Sequence, residues 1–148
     1  MQNVNQAGQP SRIGVLLLKM AVIYLSLGLF LGLGMAISGQ FQLRAVHTHI
    51  NLLGWVTLAI AGMVYCLFPR LGLSRLAHWH AWLHNLGLPM MMTGLSLYHL
   101  GYREFEPLLG IGSVITVAGL VLFGTNVFSN LETGNVEDSP PERTALLD

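Results

Sequence analysis

Four stretches of this chain run almost free of charge, each near the roughly 20 residues a helix needs to cross a hydrocarbon layer about 30 Å thick. They are 13–38, interrupted by Lys19, then 45–68, 77–101 and 107–131. Hydrocarbon offers the backbone no water, and over such lengths only a helix satisfies its own amides, so each stretch is expected to be a transmembrane helix. Composition agrees: 53% of the 148 residues are apolar and 9% are charged, against about 25% charged in an average soluble domain. The expectation is an all-α membrane protein, with four transmembrane helices in an up-down antiparallel bundle. The first stretch is longer than the roughly 7 to 15 apolar residues of a signal peptide and follows an uncharged opening, so it is read as a retained span.

The connections at 39–44, 69–76 and 102–106 are short, which makes consecutive helices antiparallel neighbours. Residues 1–131 are therefore expected to form one four-helix domain. Residues 132–148, acidic and carrying Pro140 and Pro141, are expected to be a disordered tail. Arg12, Lys19, Arg70, Arg75 and Arg143 fall at the end shared by both termini, and Arg44 and Arg103 at the other. That bias places both termini in the cytoplasm of a plasma (inner) membrane protein. Seven basic and seven acidic residues cancel, leaving no electrostatic case for nucleic acid. A single cysteine, Cys66, excludes an intrachain disulfide framework and a thiolate zinc cluster.

All six histidines, His47, His49, His78, His80, His84 and His99, lie on the second and third stretches or their ends. Ionisable groups inside a membrane are costly and mark function by default, and imidazole is the commonest metal ligand. Some of them can instead serve as interfacial groups or as packing glue between helices; His78 is read this way. In an antiparallel hairpin centred near Leu73, residues whose numbers sum to about 146 share a level at equal helical rise. His47 then matches His99 at the periplasmic side, while His80 and His84 lie level with Tyr65 and Gly62 toward the cytoplasm. His49 points away from His47, and His80 and His84 share a face. Pro89 is expected to kink the third helix.

A flat apolar ring with axial imidazoles and cationic partners for its carboxylates suits these features, which points to a tetrapyrrole. His47, His99, His49, His80 and His84 are the candidate metal ligands, and Arg44 and Arg103 the candidate propionate partners. Gly54 and Gly62 on the second helix, with Gly87 and Gly94 on the third, offer close approach to the backbone. Gly28 and Gly32 are read as packing glycines at an oligomer contact. Met90, Met91 and Met92 are read as core filler rather than copper ligands.

The run from Leu43 through Arg44, His47, His49 and Asn51 to Trp55, followed by Gly62, Tyr65 and Pro69, resembles the second helix of haem-copper oxidase subunit I. The likeness is strongest to the cbb-type oxidases and the nitric oxide reductases. The segment His80 to Gly87 with Gly94 resembles their third helix, and Phe123 to Leu131 the end of the fourth. The resemblance covers about residues 13 to 131 and implies that His47 is an axial ligand of a b-type haem. It also implies that the copper ligands and remaining haem histidines of a full subunit I have no counterpart in this sequence. Self-sufficient oxidase activity is therefore not expected.

The leading expectation is a membrane haem b protein of electron transfer or haem-linked sensing. Its expected partners are the bilayer, a second copy of the chain, and a quinol or respiratory-chain protein. The alternatives are a copper- or zinc-binding membrane protein without porphyrin, and a non-catalytic helper subunit of a respiratory complex.

Overall fold

A computed structural model describes residues 10–131; the acidic tail expected at 132–148 lies outside them. The described chain is helical, with no strand among the described residues. Helix α1 (Arg12–Ser38) opens on Ser11, whose hydroxyl accepts from the Gly14 amide at 3.4 Å. It stops at Gly39, which adopts the left-handed φ of 68° that spares glycine a Cβ clash. Helix α2 (Arg44–Leu67) follows, then a one-turn helix α3 (Pro69–Gly72). Helix α4 (Arg75–His99) is capped by the Ser74 hydroxyl, which accepts from the Ala77 amide at 3.0 Å. The chain reverses at Gly101, φ 99°, and a 3₁₀ turn at Arg103–Phe105 leads into α5 (Glu106–Asn130), with Pro107 in its first turn.

Glycine notches set the pairings. On α1, Gly14 faces Gly62 and Cys66, Gly28 faces Asn51, and Gly32 faces His47, a descending register that makes α1 and α2 an antiparallel hairpin. Along α4 and α5, Gly94 meets Leu109, Met91 meets Gly112, Gly87 meets Thr116, and the His84 amide lies under Gly119. This second antiparallel hairpin is packed backbone against backbone. The two hairpins meet through larger side chains, chiefly Tyr65 of α2 with His80 of α4 and Phe123 of α5. Outward-facing Phe30, Ile37, Leu67, Val114 and Phe128 are largely exposed, an apolar exterior suited to lipid rather than water.

Three structural findings bear on the sequence reading. Four membrane-crossing helices were expected, yet only Arg12–Ser38, Arg44–Leu67 and Arg103–Asn130 are both long and apolar enough among the described residues. Helix α4 has the length, 25 residues, but His78, His80, His84, Asn85, Thr93, Ser96 and His99 dilute its apolar content. The helical assignment of α4 continues through Pro89, which is exposed.

The second concerns glycines. Gly28 and Gly32 abut Asn51 and His47 of their own chain rather than an open surface, because α1 must come close to α2 there. Gly54 is covered by the Tyr24 ring, and Gly62 by Leu18 and the Gly14 backbone. The approach these two residues permit in this structure is that of α1.

The third is local. Within α2, residues Ile50–Thr57 form a π-helix instead of continuing the α-helix. The Asn51 amide nitrogen donates to the His47 carbonyl at 2.8 Å, and the Thr57 hydroxyl donates to the Leu52 carbonyl at 2.8 Å. Side-chain donors inserted into the i→i−4 ladder are an identifiable cause of such widening.

Candidate metal and cofactor site

His47 sits one turn into α2 with its ring laid against the notch at Gly32. Its Nδ1–H donates to the Gly28 carbonyl at 2.9 Å; a carbonyl only accepts, so the proton is on Nδ1 and the neutral ring carries its lone pair on Nε2. His49 and His78 also use Nδ1, but on the carbonyls of Ala45 and Ser74 four residues back on their own helix or cap. His47 differs from them in tying two helices together. Asn51, whose side-chain amide occupies the space a Cβ on Gly28 would need, completes this contact by donating to the His47 carbonyl.

Arg44, one turn before His47, is exposed. At the far end of α4, His99 is exposed and its ring lies edge-on to Tyr98. Arg103 is engaged with the same tyrosine: its guanidinium stacks 4.9 Å from the ring centroid and donates to the hydroxyl at 3.1 Å. The level-matched partner of His47 thus points toward the surface.

His80 and His84 lie elsewhere, fully buried between the hairpins with rings 5.6 Å apart and nearly perpendicular. His80 stacks at a tilt on Phe123, 5.2 Å between centroids, and its Nδ1 lies 3.2 Å from the Tyr65 hydroxyl, as equal depth for residues 65 and 80 requires. His84 departs from the expected register. Its Nε2–H donates at 3.1 Å to the carbonyl of Leu53, nine residues before Gly62. From the first contact to the second α2 advances twelve residues and α4 four, so these helices are inclined rather than side by side, and the imidazole spans part of the offset.

The polar residues that sequence reasoning missed are Asn126 and Ser74. Fully buried Asn126 donates to the Leu71 carbonyl at 3.0 Å and to the Tyr65 hydroxyl at 3.5 Å, and its oxygen accepts from Ser74 and Asn130 at 2.9 Å each. An asparagine within the apolar run of α5, one turn before its last residue, was the available signal. Among the described residues no group of three or more His, Cys, Asp or Glu is placed to hold a metal. The five candidate ligands therefore separate into His47 of α2 seated against α1, the buried pair His80 and His84, and His49 and His99 apart from both.

No protein-family model and no solved structure matches the chain. It is similar to a cytochrome c oxidase subunit 1 homolog of Azorhizobium caulinodans, 27% identical over 124 residues, an alignment covering 64% of this chain and 22% of that protein. The chain thus spans about a fifth of that relative's length. This distant similarity, joined to three helices of membrane-crossing length and apolarity, supports a multi-pass membrane protein related to subunit I of the haem-copper oxidases.

Proposed function

We propose that the protein is a membrane haem b protein in which His47 Nε2 is an iron ligand, working in electron transfer or haem-linked sensing. The observation that carries this reading is the bond from His47 Nδ1–H across to the Gly28 carbonyl. Metal-bound imidazoles characteristically donate their other N–H to a carbonyl or carboxylate, which fixes the tautomer and raises the basicity of the ligating nitrogen. His47 has that arrangement. The Gly32 notch gives the ring its seat, and Arg44, exposed one turn away, is the propionate partner. Arg103 serves only by leaving Tyr98.

The residues fit a haem from one axial side. A haem held there would supply a one-electron couple at the membrane. The sixth ligand is proposed to be His99 or a histidine of a second copy of the chain. The proposal also takes α4 as a fourth span, its histidines and Asn85 turned inward or to the interface, with both termini cytoplasmic. The electron source in this reading is a quinol or a respiratory-chain protein in the same bilayer.

The test is an absorption spectrum of the purified protein, oxidised and dithionite-reduced, after expression with ample haem. A Soret band and a b-type reduced spectrum are expected, and their absence sinks the proposal. His47→Ala should lose most of the haem while the protein stays folded; wild-type haem content in that variant excludes His47. His99→Ala should turn a low-spin spectrum high-spin where His99 is the sixth ligand, and leave it unchanged where a second copy supplies it.

A further inference from the structure

The haem reading makes no use of His80 and His84, and these are the two imidazoles most deeply sequestered in the molecule. Neither has exposed surface. Each has one nitrogen engaged, His84 Nε2 by the Leu53 carbonyl and His80 Nδ1 by the Tyr65 hydroxyl. The other two, His80 Nε2 and His84 Nδ1, are buried without a hydrogen-bond partner among the described residues. Buried polar atoms are rarely left this way, and an unpartnered one calls for an explanation. Both orphans belong to perpendicular rings one helical turn apart, 5.6 Å between centroids, so a single bound species can satisfy both.

The outer partners select its chemistry. Because the Leu53 carbonyl only accepts, His84 carries its proton on Nε2 and offers a lone pair at Nδ1. The Tyr65 oxygen can accept from His80 Nδ1–H, which gives His80 a lone pair at Nε2. Two imidazoles, each with its second nitrogen held by an oxygen, form a ligand pair of the kind that binds metal ions. Charge then narrows the choice. Glu104 and Glu106 are the acidic groups of the described residues, and both are exposed at the opposite end of α4. Among the described residues no carboxylate offsets a cation beside His80, and the solvation penalty grows with the square of charge, about fourfold from a monovalent to a divalent ion. Zinc also requires four ligands as a rule, whereas copper(I) is stable with two nitrogens in line.

We infer that His80 Nε2 and His84 Nδ1 form a buried two-coordinate site for copper(I), separate from His47. The probe is copper(I) itself, presented anaerobically to the detergent-purified full chain against a chromophoric copper(I) chelator. One equivalent per chain should be withheld from the chelator. His84→Leu and His84→Met are close in volume and both lose the bond to Leu53, yet only methionine supplies a ligating sulfur. Copper retention should fall at least tenfold in His84→Leu and recover in part in His84→Met, while His47→Ala keeps its copper whether or not it keeps haem. X-ray absorption of the copper-loaded wild type should show nitrogen neighbours and no sulfur, a readout that needs no variant to fold. Failure of the wild type to hold copper, unchanged binding in His84→Leu, or sulfur in the first coordination sphere each overturns the inference; the first would leave a water molecule bridging the two nitrogens.

Discussion

The seat of His47 depends on a hydrogen atom where any other residue would place a Cβ carbon. A Cβ on Gly32 would lie 2.7 Å from His47 Cε1, well inside the roughly 3.5 to 4.0 Å at which carbon atoms rest against each other. Gly34, two residues on along the same helix, has nothing within 4 Å of the same position. Gly32→Ala should therefore displace the imidazole by about 1 Å and lower haem content several-fold, with Gly34→Ala as the matched control at the wild-type level. Pyridine haemochrome assay against protein concentration measures both, and equal haem in the two variants would detach His47 from iron binding. The histidines were legible in the sequence because an ionisable residue in an apolar run stands out. The groups that orient them were not. The Gly28 and Leu53 carbonyls that fix the tautomers of His47 and His84 are backbone atoms, and every residue type carries one.

Helix extents were readable for a related reason: the charge-free runs begin where Arg12, Arg44, Arg75 and Glu106 open the four long helices. Ser11 and Ser74 supply hydroxyl caps, and Gly39 and Gly101 supply the positive φ that ends a turn. The π-helical stretch at Ile50–Thr57 was not readable, since it follows from how Asn51 meets both His47 and α1, and that meeting exists only after the hairpin has closed. Asn126 shows what such tertiary polar contacts contribute. It joins α5 to the Leu71 carbonyl, the Tyr65 hydroxyl and the Ser74 cap, so Asn126→Leu removes one partner from each of three groups at the junction of α2, α3 and α4. Loss of partners for buried polar groups costs about 1–3 kcal/mol each, and here the nearness of α3 to the surface allows water to recover part of that. A destabilisation of roughly 2 kcal/mol is expected, read as a lower unfolding midpoint in detergent. Hydrogen exchange should accelerate first in residues 69–74. Uniform acceleration over all helices would instead assign Asn126 to general packing.

Over the whole molecule, the open question of physical chemistry is how α4, too polar to qualify as a span by itself, lies beside three helices that qualify. Its glycine-notched face is fastened to α5 from Gly94 opposite Leu109 to the His84 amide under Gly119, so wherever α5 goes α4 must follow antiparallel to it. Two of its histidines, His80 and His84, face inward and are fully buried, while Arg75, His78 and His99 lie exposed near its ends. The outward face carries Trp79 and Trp82, 60% and 74% exposed, near the end of the helix where aromatic residues favour the headgroup level. A helix that hides its polar atoms within the bundle and shows tryptophan at its margin can cross a bilayer although its average composition argues otherwise. Single-cysteine variants in a Cys66→Ser background test this in intact cells with a thiol reagent that does not pass the membrane. Gln40→Cys and Glu104→Cys, in the two loops expected on the periplasmic side, should both label, and Leu73→Cys, exposed between α3 and α4, should label only after the cells are opened. Labelling of residues 73 and 104 from the same side would mean that α4 lies along one surface of the membrane. The polar content that kept it from qualifying as a span would then decide its position, and the hold of α5 upon it would not.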